Sequence, residues 1–248
     1  MSAGVGATEA ATRVGRAVML ARGATALMGL VALGRAGLLG VSLRALRQIT
    51  EGNAVEVGLS DLTDRAIAAG NAVGLGVAGV VGLCWMLLFV RALGARDALA
   101  VRGRLPSAAS AVLAWVIPGV NLVRPAQVMG ALLEGLRATP ERAGVAPEAE
   151  GHYRSASLDR GASRGDPGAA PVALWWSFWV MSRLLAVAAL PFEGNGDSAS
   201  GLMMATALTM AAELLTAVSA VAGWRVLGVL GARVRARRES LVRSAGVC

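Results

Sequence analysis

Residues 66–90 form a run of 25 positions without a single charged side chain. The hydrocarbon core of a bilayer is about 30 Å thick, and about 20 apolar helical residues cross it. Inside it every backbone N–H and C=O must find a partner within the segment, which leaves a helix as the form such a run can take. The stretch Ala66 to Val90 therefore predicts a membrane-spanning helix. Three further runs meet the same length requirement: Gly23 to Ser42 around Arg35, Pro171 to Phe192, and Gly201 to Gly223. Composition agrees, with 55% hydrophobic and only 16% charged residues, against about 25% charged in soluble domains. The fold class expected is an all-α integral membrane helical bundle.

One stretch does not fit a plain span. Pro106 to Val123 is apolar but broken by Pro118-Gly119, and it runs into Asn121, Arg124 and Pro125. Proline removes a backbone donor and clashes with the preceding turn, so the helix should kink or stop near Ile117. Pro125 suits the first turn of a following amphipathic helix, Gln127 to Leu136. Four transmembrane helices plus a re-entrant or interfacial broken helix pair is the reading that results. Asn121 can satisfy backbone groups freed by the break. Arg124 has two partners open to it, a lipid phosphate or Glu134.

Arginine asymmetry orients the chain. All 24 basic residues are arginine, and ten of them lie in 91–105 and beyond Trp224, whereas 193–199 has none. The first two segments are expected in the cytoplasm and 193–199 outside, with both termini cytoplasmic, in a bacterial inner membrane. A full span at 106–136 would put one basic segment on the wrong side. The organisation expected is a flexible N-terminus 1–15, a first membrane part 16–136, a polar cytoplasmic linker 137–170, a second membrane part 171–230, and a basic cytoplasmic tail 231–248. The net charge of +8 sits beside apolar runs, so the partners expected are the lipid bilayer and anionic headgroups rather than nucleic acid.

Charged residues at bilayer depth are costly and face protein or water. Arg35, Arg183 and Glu213 are in that position. Glu213 shares a helix face with Thr206, Thr209 and Thr216, spaced 3, 4 and 3. Counted from the outer helix ends, Arg183 and Glu213 differ in depth by only about 4–5 Å, so they are expected to pair. Two roles are open to them: a neutralised clamp between helices, or the lining of a cavity that binds a proton or cation. Trp175, Trp176 and Trp179, at one end of the third span, are expected at the headgroup level with Trp85 and Phe89. Gly34, Gly37 and Gly40, and Gly70 with Gly74, would let another helix approach closely, in this chain or in a homo-oligomer or membrane-protein partner.

Catalytic signatures are weak: the chain has no H-E-x-x-H or phosphate loop, and Gly161-Ala-Ser-Arg-Gly165, which fits G-x-S-x-G, falls in the polar linker, expected to be non-catalytic. Two cysteines, Cys84 and Cys248, and one histidine, His152, give neither a disulfide framework nor a metal set. No cofactor and no enzymatic activity are expected.

The pattern Trp115-Val-Ile-Pro118-Gly-Val-Asn121-Leu-Val-Arg124-Pro125, followed by Gln127-Val-Met129 and later by Trp175-Trp176, resembles a family of bacterial polytopic membrane proteins catalogued as a domain of unknown function. The resemblance implies the topology above and says nothing of catalysis. The family's acidic-tryptophan helix corresponds here to Met129–Arg137, which lacks tryptophan and places its acid at Glu134. The function expected is a non-enzymatic membrane module acting as scaffold, sensor or accessory subunit. The alternative is a small transporter or channel whose pathway touches Glu213, Arg183 and Asn121.

Overall fold

The computed structural model describes residues 2–52, 57–101, 105–116, 123–137, 169–194 and 198–244. They form six helices and, among the described residues, no strand. The helices are α1 (Ser2–Thr50), α2 (Val57–Gly94), α3 (Ala108–Val116), α4 (Arg124–Arg137), α5 (Ala169–Gly194) and α6 (Ala199–Ser244). Four of them, α1, α2, α5 and α6, are long and apolar enough to cross a membrane. The all-α class with four such helices is thus what the chain adopts. Pro118 and Asn121, the linker 138–168, the turn 195–197, His152 and Cys248 lie outside the described residues.

The chain divides into two compact units. The first gathers residues 1–18, 88–173 and 228–248. Its core is read directly from helical spacing. Ala7, Ala11, Val14 and Val18 recur at intervals of 4, 3 and 4 along one face of α1 and are all buried. Helix α4 buries Pro125, Val128, Met129, Leu132, Leu133 and Leu136, which is the amphipathic stripe expected of it. Leu88 and Phe89 of α2 and Leu230 and Val234 of α6 complete the core. Helix α3 packs against α4. Its start is capped by Ser107, whose Oγ accepts from the Ser110 N–H at 3.1 Å. At nine residues it is about 13 Å long, too short to cross a bilayer.

Two segments differ here from the sequence reading. Residues 1–15, expected to be flexible, are helical from Ser2, and Ala7, Ala11 and Val14 form a buried face rather than a frayed end. Residues 231–248, expected as a tail, continue α6 to Ser244. Arg237 is 4% exposed, and its guanidinium donates to the carbonyls of Leu99 at 2.9 Å and Ala100 at 2.5 Å. Ala100 sits at φ 46°, a left-handed conformation that a non-glycine residue adopts at a cost. Arg233 likewise donates to the Leu133 carbonyl at 2.5 Å. These arginines hold helix ends and turns within the unit.

The second unit comprises residues 19–87 and 174–227. Its outward surface is apolar: Leu30, Leu33, Leu75, Leu83, Val187 and Val221 are each more than half exposed. Its interior is built from small and polar residues, among them Ala32, Ala36, Ala212, Thr25, Ser182, Thr216 and Ser219. That inversion suits lipid, where association comes from close packing and interhelical hydrogen bonds rather than from hiding apolar area. Helices α1 and α6 run antiparallel, with Gly29 against Ala220 and Gly40 against Met210. Gly34 and Gly37 meet no neighbour, so of the glycine series in α1 only Gly40 serves packing within the unit.

Candidate functional site

The second unit has a polar centre. Arg35, about two-thirds of the way along α1, points its guanidinium between α2 and α6. Its Nη1 lies 2.8 Å from Glu213 Oε1, and its Nη2 donates to Asn71 Oδ1 at 2.7 Å. Both members of the ion pair are largely withdrawn from the surface, with side chains 23% and 12% exposed. The opening for Arg35 is made by glycine. A Cβ on Gly74 would stand 2.6 Å from Arg35 Nη1, and one on Gly70 would stand 3.5 Å from Arg35 Cγ. The Gly70/Gly74 face therefore receives an arginine side chain of the same chain rather than another helix backbone.

Arg183, on α5, is directed elsewhere. Its Nη2 donates to Thr216 Oγ1 at 3.0 Å and its Nε to Ser182 Oγ at 3.3 Å. The Arg183–Glu213 pair expected from depth is not the one formed: Glu213 pairs with Arg35, and Arg183 docks on the threonine one turn further along α6. Thr216 in turn donates to the Ala212 carbonyl at 2.9 Å, so its hydroxyl is free to accept from Arg183. Arg35, Asn71, Arg183, Glu213 and Thr216 all line one half-open cavity of about 280 Å³, walled also by Gly74 and Ala78. Two fixed cations face one anion there. Thr209 is half-buried on α6 outside this lining.

Asn71 is the member that sequence reasoning missed. It stands in the uncharged span beside Gly70 and three residues before Gly74, a polar amide on the face that the two glycines leave open. A side-chain amide in an otherwise apolar span was the available signal.

The tryptophans form a second cluster, and it faces inward. Trp85, Trp175 and Trp176 are 2%, 3% and 8% exposed. Trp85 stacks on Trp175 at 4.4 Å between ring centroids and 9° between planes, while its Nε1 donates to Thr25 Oγ1 at 3.1 Å. Trp176 stacks on Trp179 at 4.7 Å. Gly223 admits Trp175, since a Cβ there would lie 2.9 Å from the ring. Trp85, Trp175 and Trp176 are thus packing residues between helices and not lipid-facing anchors; Phe89, fully buried in the first unit, is likewise withdrawn from lipid. The aromatic count predicted a belt because sequence places a ring along the helix axis but not around it.

Of the broken-helix motif, Trp115 packs near Phe89 in the first unit at 6.1 Å and 44°, and Pro125 is buried in the first turn of α4. Arg124 and Glu134 are both exposed and unpaired with each other; ten residues apart on one helix, they stand about 15 Å apart along its axis.

Residues 48–231 match the family described as Domain of unknown function (DUF4328). The chain belongs to that family. The DUF4328 region takes in Asn71, Arg183 and Glu213 and leaves Arg35 upstream of it. No curated protein and no solved structure matches the chain. Among the described residues no group of histidine, cysteine or acidic side chains is arranged to hold a metal ion.

Proposed function

We propose that this DUF4328 protein is a non-enzymatic, multi-pass module of a bacterial inner membrane, acting as a sensor or accessory subunit that binds a small anion in the Arg35–Glu213–Arg183 cavity. The observation that carries this reading is the charge count of the cavity: two guanidinium groups against one carboxylate, in a space of about 280 Å³. A cation at bilayer depth seeks a counter-ion, and a planar guanidinium takes a carboxylate in two parallel hydrogen bonds. Glu213 occupies Arg35. Among the described residues Arg183 hydrogen-bonds only to hydroxyls, and so offers donors that a ligand would take.

Acetate is the simplest probe. In nanodiscs of neutral phosphatidylcholine, at constant ionic strength, acetate should raise the unfolding temperature of the wild type by binding the folded state. Arg183→Gln should abolish that dependence while leaving the unliganded protein folded, since Arg183 is exposed and makes no ion pair. An equal acetate response in both proteins would sink the reading. The cavity also supports the transporter alternative, and uptake of labelled acetate into proteoliposomes distinguishes it: flux that Arg183→Gln removes makes the module a carrier.

Topology enters the same proposal. The first unit collects the start of α1, the end of α2, α3, α4 and the end of α6, which supports one membrane side for all of them. That side is the cytoplasm by the arginine rule, with α3 and α4 as an interfacial pair. In a Cys84→Ser, Cys248→Ser background, single cysteines at Gly52 and Ser198 should react with an impermeant thiol reagent on intact cells. Cysteines at Ser107 and Ser244 should react only after lysis. Reaction at Ser107 from outside would mean that 106–136 crosses the membrane.

A further inference from the structure

A second feature of the second unit lies on its lipid-facing side. Between α1 and α6 runs an apolar groove of about 530 Å³, with Gly29 and Ala217 in its lining and Leu30, Leu33, Val218 and Val221 among its walls. At the helix contact a Cβ added to Gly29 would stand 3.1 Å from the Ala220 Cβ. At one end the groove closes on Trp224, and over that indole ring lies the guanidinium of Arg22, 4.0 Å from the centroid. The Nε of Arg22 is buried and has no hydrogen-bond partner. A buried donor left unsatisfied is costly, and in native proteins it calls for an explanation.

We infer that this groove holds one acyl chain of an anionic phospholipid, whose phosphate accepts from the Arg22 guanidinium. The dimensions agree. From Leu214 to Trp224 the groove follows 10 residues of α6, about 15 Å, and one leaflet of hydrocarbon is about 15 Å deep. The charge agrees as well. Arg22 and Trp224 stand where α1 enters and α6 leaves the apolar run, the level at which arginine and tryptophan meet headgroups, and the stacked ring holds the guanidinium in place for bidentate phosphate recognition. A second copy of the chain is the poorer occupant. The residues lining this face include no carboxylate, so a two-fold contact through it would bring nothing to Arg22.

The test is native mass spectrometry of the full-length protein released from nanodiscs containing equal parts of phosphatidylglycerol and phosphatidylcholine. The wild type should retain one phosphatidylglycerol in preference to phosphatidylcholine. Arg22→Gln should lower that retention about tenfold, the worth of one charge-assisted hydrogen bond. Ala26→Phe fills the groove from an exposed position and should displace the acyl chain with the cation intact. Arg16→Gln, an exposed arginine on the same helix, should leave retention unchanged. Equal retention of the two lipids, or wild-type retention in both Arg22→Gln and Ala26→Phe, overturns the inference. So does a dimer signal that Ala26→Phe abolishes, which would make the groove a contact between copies. Circular dichroism of each variant separates lost binding from lost fold.

Discussion

Replacing Glu213 by alanine should destabilise the protein by about 3–5 kcal/mol, the cost of removing one partner of a buried ion pair. Arg35 would then stand in its glycine-lined opening with Asn71 as its remaining partner, and Arg183 would share the same cavity with no carboxylate between them. Removing both partners, as Arg35→Leu with Glu213→Leu, should restore most of the loss, because well-packed apolar replacements for a buried pair are close to neutral. The measurement is equilibrium unfolding in mixed micelles for the single and double variants. A loss below about 1 kcal/mol for Glu213→Ala, the range of solvent-exposed pairs, would show that water reaches both guanidinium groups freely. If the cavity takes anions as proposed, acetate should also rescue the single variant more than it stabilises the wild type.

The second large effect is expected in the other unit. Arg237→Met keeps the stem of the side chain but removes the donors that meet the Leu99 and Ala100 carbonyls. The buried Leu99 carbonyl loses its partner, at about 1–3 kcal/mol, and the less buried Ala100 carbonyl loses one as well. The turn they belong to has its N–H groups satisfied internally, with Leu99 N–H bonded to the Ala95 carbonyl and Val101 N–H to that of Arg96. Amide exchange in 95–101 should therefore rise in Arg237→Met while exchange in α4 changes less. Arg235→Met, at an exposed position, serves as the comparison and should leave both regions protected. Equal exchange in the two variants would mean that Arg237 does not hold this turn.

The four long helices were legible because their signal is one-dimensional: length and apolarity along the chain. The stripe of α4 was legible for a related reason, since Val128, Leu132 and Leu136 repeat with the period of the helix. The partner of Glu213 was not. Counting residues from a helix end gives depth, and at that depth Arg35 and Arg183 were both available; the choice between them depends on how each helix is turned about its axis. The same missing coordinate turned Trp85, Trp175 and Trp176 from packing residues into apparent lipid anchors. Residues 1–15 and 231–244 were misread for another reason. Their charge and small size suggested free ends, whereas Ala7, Ala11, Val14, Val234 and Arg237 are all buried. Asn71 was overlooked because an uncharged span drew attention to what it lacked.

Gly74 has a consequence that reaches beyond fit. Because the Arg35 guanidinium fills the space where a Cβ would be and is tied at its far side to Glu213, α2 is keyed against α1 at a single rotational setting. Turning α2 by one residue, about 100°, would present Val73 or Leu75 to the guanidinium instead. Sliding it by one turn would present Gly70 or Ala78, and only the former leaves the space open. The helix thus has two registers compatible with the arginine, separated by about 6 Å along its axis, and one of them carries Asn71 away from its bond. Breaking the Arg35–Glu213 contact would release that setting, so the ion pair fixes the register of α2 as well as neutralising its own charges.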